Sequence, residues 1–170
     1  GYIAPEVIAT QHLDKNDPDR ITPSTKTDLH ALAVLIYEYL LQRHPLQGPK
    51  FFSESSEEDE LLRMGKKALF IEHPDDHSNR PRDLGIGMSV LGPYLVELFK
   101  RAFVDGLHEP SQRPSAANWE LGLMRTWEML YPCANSNCTH KWFVLHDKAD
   151  GRCPFCGTKI VEKKGPILQF

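Results

Sequence analysis

The residues of this chain best suited to chemistry are its four cysteines, which stand in two pairs near the C-terminal end. Four residues separate Cys133 from Cys138, two separate Cys153 from Cys156, and fourteen lie between the pairs. Two short cysteine pairs of this kind can bring four thiolates to one tetrahedral metal ion, most often zinc. Gly157, just past the second pair, lets the backbone fold back there. The spacing therefore predicts a zinc site in a zinc ribbon.

The sequence alone leaves alternatives to zinc ligation by four cysteines open. Two disulfides are the main alternative, although paired knuckles in a cytosolic setting favour zinc. A mononuclear iron site would have the same geometry. His140, two residues after Cys138, is a candidate replacement for one of the cysteine ligands, whereas His146 is expected to be a surface histidine.

The cysteines lie in a segment, residues 132–170, that is predicted to be a small β module. Residues 142–145 and 159–161 have the composition of strands. From Cys133 onward there are six Lys or Arg residues and three acidic ones, which is a mild positive bias. The aromatic residues that follow Lys141 would permit nucleic-acid binding, but such residues more often fill the core of a ribbon. Nucleic acid is therefore the least favoured partner.

The composition is that of a globular protein with a sizeable core. The chain has 170 residues, of which 41% are hydrophobic and 25% charged, enough for one domain and a small module. A net charge of -3 at pH 7 gives no general attraction to nucleic acid or to an anionic membrane. No run of about 18 apolar residues is present, and the first residues lack the pattern of a secretory leader. We expect a cytoplasmic protein with no membrane partner.

The first segment, residues 1–131, contains no cysteine and is predicted to be mainly helical. Eleven of the thirteen residues in 29–41 are apolar, which predicts a helix buried on all sides, with a buried strand as the alternative. An amphipathic helix is expected over 57–71 and a long surface loop over 73–92. Helical spacing resumes over 95–103. The fold class is therefore mainly α, a bundle of helices with a small β module.

The ends of two of these helices can also be predicted. Arg43-His44-Pro45 places positive charge and a helix breaker after the apolar helix. Ser115, after Arg113-Pro114, is a good N-cap for a last helix. Four apolar residues recur every three or four positions in that helix and are expected to pack in the core: Trp119, Leu123, Trp127 and Leu130.

Three short motifs in the helical segment resemble protein kinases of the Ser/Thr class. Tyr2-Ile3-Ala4-Pro5-Glu6 resembles the end of the activation segment, which closes on Ala-Pro-Glu. Residues 27–38, followed by Arg43-His44-Pro45-Leu46, resemble the helix called F. Residues 110–116 resemble the segment between helices H and I. Because the three matches occur in order and at the expected separations, the resemblance implies that residues 1–131 are part of a kinase C-terminal lobe.

The resemblance also assigns roles to single residues. In that family the Glu of Ala-Pro-Glu pairs with the Arg before helix I, which implies an ion pair between Glu6 and Arg113; two independent surface charges are the alternative. Asp28, at the start of the apolar helix, would accept hydrogen bonds from the backbone of the catalytic loop. A Tyr before Ala-Pro-Glu is typical of Ser/Thr kinases rather than tyrosine kinases. The implied peptide-substrate contacts are Gly1, Tyr2 and Ile3.

The motifs that carry out phosphoryl transfer in that family do not occur in this sequence. It has no Gly-rich phosphate loop, strand lysine, His-Arg-Asp loop or Asp-Phe-Gly. In kinases all four precede Ala-Pro-Glu, so the resemblance implies that ATP and Mg²⁺ bind only in a preceding part of a longer parent protein. We expect this chain alone to be inactive and assign it no catalytic residue.

The function predicted from the sequence is that of the C-terminal part of a bacterial Ser/Thr protein kinase. This part would dock the protein substrate, brace the catalytic loop and recruit a partner through the zinc ribbon. The combination also resembles kinase-like bacterial proteins with Cys-rich tails, some encoded beside a phosphatase and a von Willebrand A-type protein in stress or tellurite-resistance gene clusters. Those two proteins are further candidate partners. The alternatives are a pseudokinase scaffold and a nucleic-acid-binding ribbon.

Overall fold

The protein is mainly α-helical, as the sequence predicts, and its described residues include a two-stranded antiparallel sheet. The computed structural model describes residues 1–146 and 151–160. Five α-helices, three 3-10 turns, one π-helical turn and two strands occur in those residues. In chain order they are α1 (Pro5–Thr10), α2 (Thr25–Leu41), α3 (Ser56–Met64), 3-10 turns at His77–Asn79 and Met88–Leu91, α4 (Gly92–Lys100), the π turn Arg101–Asp105, a 3-10 turn at Pro110–Gln112, α5 (Ala116–Glu128), β1 (Leu130–Pro132) and β2 (Trp142–Val144).

Helix α2 ends where the sequence predicts, but it is not buried on all sides. Gln42 adopts a left-handed φ of 56°, which stops the helix before Arg43. Val34 and Tyr37 are fully buried, whereas Leu35 and Tyr39 are 54% and 80% exposed. Because these two exposed residues are four positions apart, they share one helix face. The prediction of all-round burial was wrong, since apolar composition alone does not reveal which face has a neighbour.

The core is built around a cluster of aromatic rings. Tyr37 of α2 meets Phe99 of α4 edge-on, with ring centroids 5.1 Å apart. Phe99 in turn contacts Trp119 of α5, with ring centroids 5.0 Å apart. Phe103 stacks on Phe99, with ring centroids 6.1 Å apart. Phe70, from the segment after α3, closes the cluster against Phe103 at 5.2 Å. Edge-to-face ring contacts of this kind stabilise beyond the burial of area.

Helix α3 is shorter than the predicted helix over 57–71, because it stops at Gly65. A Cβ at Gly65 would lie 2.5 Å from the Leu61 carbonyl oxygen and 3.0 Å from Cγ2 of Ile8. The glycine therefore allows α1 and α3 to approach closely. Ala68, Phe70 and Ile71 follow in irregular structure and are buried in the core. Leu61, an apolar residue of the helix predicted over 57–71, is 46% exposed.

Helix α5 has the predicted N-cap but a different buried face. The Ser115 hydroxyl accepts a hydrogen bond from the Asn118 backbone N–H at 3.2 Å, and Oδ1 of Asn118 accepts one from the Ser115 backbone N–H at 3.0 Å. Trp119 is buried as predicted, but Leu123 and Trp127 are 38% and 58% exposed. The helix packs instead through Gly122, where a Cβ would lie 2.4 Å from Cδ1 of Leu98. Gly122 thus determines which face of α5 is buried. The spacing of the aromatic residues did not reveal this face.

The predicted loop over 73–92 is held by a buried carboxylate. Glu72 accepts hydrogen bonds from the Tyr37 hydroxyl, from Arg43 at 2.9 Å and from the Met88 backbone N–H at 2.9 Å. Arg43 also donates to two loop carbonyl oxygens, those of Leu84 and Ile86. A surface loop with two short 3-10 turns is therefore fixed to the end of α2.

The sheet follows α5 directly and is part of the cysteine-containing module. Tyr131 lies opposite Phe143 in the register, and the Leu145 N–H donates to the Met129 carbonyl oxygen. Only β2 falls within the strand predicted over 142–145. The second predicted strand, 159–161, is represented by an isolated bridge between Arg152 and Lys159, and residue 161 lies outside the described residues.

Among the helices of the described residues, none has the length and apolar character needed to cross a lipid bilayer.

Candidate metal centre and kinase-like contacts

The four cysteine sulfurs lie together at one point of the module. All four are free thiols, and their Sγ atoms are within 4.8 Å of one another. The Sγ atoms of Cys133 and Cys156 are 3.5 Å apart, and those of Cys138 and Cys153 are 4.0 Å apart. A tetrahedral zinc ion with Zn–S bonds of about 2.3 Å requires sulfurs about 3.8 Å apart. The cluster therefore has the size of a four-thiolate metal site.

Each pair of cysteines is carried on a tight turn. The Cys138 N–H donates to the Asn135 carbonyl oxygen at 3.0 Å, and the Gly157 N–H donates to the Cys153 carbonyl oxygen at 2.9 Å. Gly157 has a φ of +71°, which permits the chain to reverse after the second pair as the sequence indicated. Two turns, separated by β2, thus present four sulfurs to one point.

The proximity of the thiols alters their acidity. The side-chain and backbone hydrogen bonds of Thr158 lower the pKa of Cys156 to about 6. A backbone hydrogen bond from Asn135 lowers the pKa of Cys133, but desolvation and the neighbouring thiols outweigh it and raise the value to about 12. Desolvation likewise raises the pKa of Cys138. Cys156 therefore ionises more easily than Cys133 and Cys138, whose thiolate forms would be favoured by the positive charge of a bound metal ion.

His140 lies beside the sulfur cluster rather than within it. Its ring stacks on Phe155 with centroids 3.9 Å apart, and its Nδ1 lies 3.1 Å from the Thr139 hydroxyl. Its backbone carbonyl oxygen is 3.0 Å from the Cys138 sulfur. The structure therefore brings the four cysteines together, and the imidazole has other contacts. His146 is partly buried.

The ion pair implied for Glu6 and Arg113 is present. Nη1 and Nη2 of Arg113 each lie 2.8 Å from a different carboxylate oxygen of Glu6. The Arg113 side chain is fully buried, and it also donates to the carbonyl oxygens of Gly106, Lys26 and Leu107. Partial burial raises the pKa of Glu6, but hydrogen bonds from Arg113 outweigh this and lower it. The pair joins α1 to the segment before α5.

The other residues assigned by resemblance lie at the surface. Asp28 is exposed in the first turn of α2, and its carboxylate has no partner among the described residues. The opening segment is held against the end of α2, where the Tyr2 hydroxyl donates to Glu38 and Nε2 of His44 lies 2.9 Å from the Gly1 carbonyl oxygen. Gly1, Tyr2 and Ile3 are all exposed.

Sequence reasoning missed the residues that hold this surface. Glu38 is 36 positions from its partner Tyr2, and His44 is 43 positions from its partner Gly1. Glu72 is 29 positions from its partner Arg43. Hydrophobic periodicity contains no information about polar contacts at such separations. Glu72 can be identified only from the fold, because the fold shows that its carboxylate is buried.

Compared with known proteins, the chain matches no protein-family model and no curated protein. Its contacts are therefore the basis for assigning a function.

Proposed function

We propose that this chain is the C-terminal part of a Ser/Thr protein kinase, in which residues 1–131 form the substrate-docking lobe and residues 132–170 form a zinc-binding module. ATP, Mg²⁺ and the catalytic loop belong to a preceding part of the parent protein. The role of this chain is to brace that loop and to present the peptide-binding surface.

The observation that carries this proposal is the buried ion pair between Glu6 and Arg113. The two motifs that resemble kinases independently, Ala-Pro-Glu and the segment before α5, meet through a bidentate contact across 107 positions. Two independent surface charges would not be expected to form a buried bidentate contact. Asp28 supports the same proposal, because its exposed carboxylate is free to accept hydrogen bonds from a catalytic loop.

The cysteine cluster supports zinc as the metal. Within the described residues the cluster consists of four sulfurs alone, a soft donor set that suits tetrahedral Zn²⁺. In this role Cys133, Cys138, Cys153 and Cys156 hold the ion, which has structural importance because the module has only a small core of its own. The module then serves as a rigid surface for a partner protein, for which the phosphatase and von Willebrand A-type proteins are candidates.

The coding region ahead of the Gly1 codon tests the kinase proposal. It should encode a strand lysine, a catalytic-loop Asp and an Asp-Phe-Gly, in that order. A parent sequence with none of the three would refute the kinase proposal and leave the pseudokinase scaffold. This chain by itself, incubated with Mg²⁺-ATP and a generic protein substrate, should transfer no phosphate.

Metal analysis of the purified chain tests the zinc proposal. We expect about one zinc ion per chain, with the metal lost from the Cys153→Ser variant. The His140→Ala variant is the matched control and should retain zinc, since the imidazole lies outside the cluster. A metal content near zero together with two disulfides, or loss of zinc from the His140 variant alone, would contradict four-cysteine ligation.

A further inference from the structure

The four sulfurs of the cysteine cluster differ in how far solvent reaches them. Cys156 is exposed and Cys133 is partly buried. Cys138 and Cys153, in contrast, are only 3% and 2% exposed. The cluster therefore has an open side and a closed side, each formed by one cysteine from each pair. An oxidant in solution meets the open side first.

The two sulfurs of the open side are also close enough to join. The Sγ atoms of Cys133 and Cys156 are 3.5 Å apart, closer than the 4.0 Å between those of Cys138 and Cys153. A disulfide bond is about 2.05 Å long, so a small movement of the two turns brings the open pair to bonding distance.

The fold of the module depends on the same residues. Among the described residues its buried core consists of Cys138, Cys153 and Phe143, so two of the three are proposed metal ligands. Phe143 belongs to β2, and the next residue of that strand, Val144, packs against Gly92 at the start of α4. A change at the cluster is therefore transmitted through β2 to the helical lobe.

We propose that the zinc site is a reversible peroxide switch, in which oxidation joins Cys133 to Cys156, empties the site and loosens the contact between β2 and α4. The switch rests on the zinc site of the proposed function and adds a means of control to it. It requires neither ATP nor a catalytic loop, so it can be measured on this chain.

The oxidation takes two steps. The Cys156 thiolate attacks one oxygen of hydrogen peroxide, so that an S–O bond forms, the O–O bond breaks and hydroxide leaves. The Cys133 thiolate then attacks the sulfenic sulfur of Cys156, so that the S–S bond forms, the S–O bond breaks and a second hydroxide leaves. Two protons from the solvent convert both hydroxides to water. Each disulfide thus consumes one peroxide molecule, which takes two electrons from the two thiolates.

The disulfide removes two of the four ligands from the zinc site. Cys138 and Cys153 alone do not complete the tetrahedral ligand set of a structural zinc site, so the module loses its metal. A dithiol reductant breaks the disulfide by thiol exchange and restores the ligands. Loss and recovery of the metal therefore follow the supply of oxidant and reductant.

Stepwise addition of hydrogen peroxide to the zinc-loaded chain tests the switch. A colorimetric chelator measures the released zinc, and mass spectrometry of proteolytic peptides identifies the disulfides. We expect one zinc ion released per peroxide molecule consumed, with Cys133–Cys156 as the first disulfide. Hydrogen exchange should increase in β1, in β2 and at the start of α4 over the same range of peroxide. A dithiol with added zinc should reverse all three changes.

Met124 provides an internal control for non-specific oxidation. Its side chain is 58% exposed, so peroxide has access to its thioether. We expect Met124 to remain unoxidised while the zinc is released.

Two variants that each remove one ligand form a matched pair. Cys133→Ser lacks the thiolate that attacks Cys156, so dimedone should trap a sulfenic acid at Cys156. Cys138→Ser has lost the same number of ligands but keeps the open pair. It should still form the Cys133–Cys156 disulfide and give no dimedone adduct.

A first disulfide between Cys138 and Cys153, or between the two cysteines of one turn, would overturn the switch. Zinc release that begins only after Met124 is oxidised, or that a dithiol does not reverse, would also overturn it. A chain without zinc before peroxide is added contradicts the proposed zinc site and the switch with it. A chain that keeps its zinc after the Cys133–Cys156 disulfide has formed contradicts the switch alone.

Discussion

Arg113 is the single residue on which most of the first segment depends. Its guanidinium is fully buried and contacts both Glu6 oxygens and three backbone carbonyl oxygens. A buried charge satisfied so completely contributes little more than an apolar residue in the same place, but removal of one partner leaves the other charge stranded. The pair therefore specifies which segments meet.

Substitution Arg113→Met should lower the free energy of unfolding by about 3 to 5 kcal/mol, because Glu6 and three carbonyl oxygens lose their donor. Urea denaturation at pH 7 would measure the change. The matched control is Lys50→Met, which breaks a more exposed pair with Asp76 and should have little effect. Equal losses in the two variants would mean that the Arg113 contacts are no more important than a surface pair.

His30 should make the stability depend on pH. Its ring is buried, and neither nitrogen has a hydrogen-bond partner among the described residues. Desolvation lowers its pKa to about 3, with Arg113 adding to the effect. In the unfolded chain the His30 ring is protonated below about pH 6.5, whereas in the folded chain it is protonated only below about pH 3. Stability is therefore fully present above pH 6.5 and falls as the pH decreases, by up to about 1.4 kcal/mol per pH unit.

The variant His30→Phe should weaken this dependence between pH 7 and pH 5 without loss of stability at pH 7, since an apolar ring needs no hydrogen bond there. His44, whose pKa is also lowered by burial, should leave a smaller residual slope. Urea titrations at several pH values would measure both slopes. An unchanged slope in the variant would show that His30 is not held neutral.

At the scale of elements, Gly92 determines how the cysteine module meets the helical lobe. It begins α4 with a φ of +79°, and a Cβ there would lie 2.7 Å from Cγ1 of Val144 in β2. Val144 is buried against this point. The close approach of α4 and the sheet therefore requires a residue without a side chain.

The variant Gly92→Ala should lower the free energy of unfolding by about 2 to 4 kcal/mol, through backbone strain plus overpacking against Val144. Gly85→Ala is the matched control, because Gly85 has a φ of +63° but nothing within 4 Å of a Cβ. The control should show strain alone, about 1 kcal/mol. Equal effects in denaturation would argue against the contact between α4 and β2.

Sequence patterns predicted the existence of the helices and the cysteine cluster better than they predicted helix faces. Local signals such as the Ser115 N-cap and the cysteine spacing act over a few residues, so they can be recognised without the fold. The stop at Gly65 and the rotation of α5 about Gly122 depend on the approach of α1 and α4, which are distant in sequence. The bonds of Glu72 are missed for the same reason.

At the scale of the whole molecule, the helical lobe and the cysteine module have separate cores. The lobe core contains the aromatic cluster around Tyr37 and Phe99, whereas the module core is formed by Cys138, Phe143 and Cys153 with a few partly buried neighbours. So small a core is expected to depend on the proposed metal ion.

Removal of the proposed zinc ion by a strong chelator should therefore unfold the module and spare the lobe. We expect the far-ultraviolet circular dichroism of the helices to be mostly retained, while backbone amides of β1 and β2 lose protection from hydrogen exchange. Zinc added back should restore that protection. Loss of the helical signal together with the module would contradict the separation of the two cores.

The central claim is that this chain supplies the substrate-docking lobe of a Ser/Thr kinase, and phosphate transfer by the complete parent protein tests it most directly. With Mg²⁺-ATP and a generic protein substrate, the parent protein should give phosphoserine or phosphothreonine as product. Asp28→Asn should lower the kcat of the parent protein, because the proposed contact with the catalytic loop is lost, and the exposed control Asp17→Asn should leave kcat unchanged. No transfer by the folded parent protein, or equal rates for the two variants, would contradict the central claim.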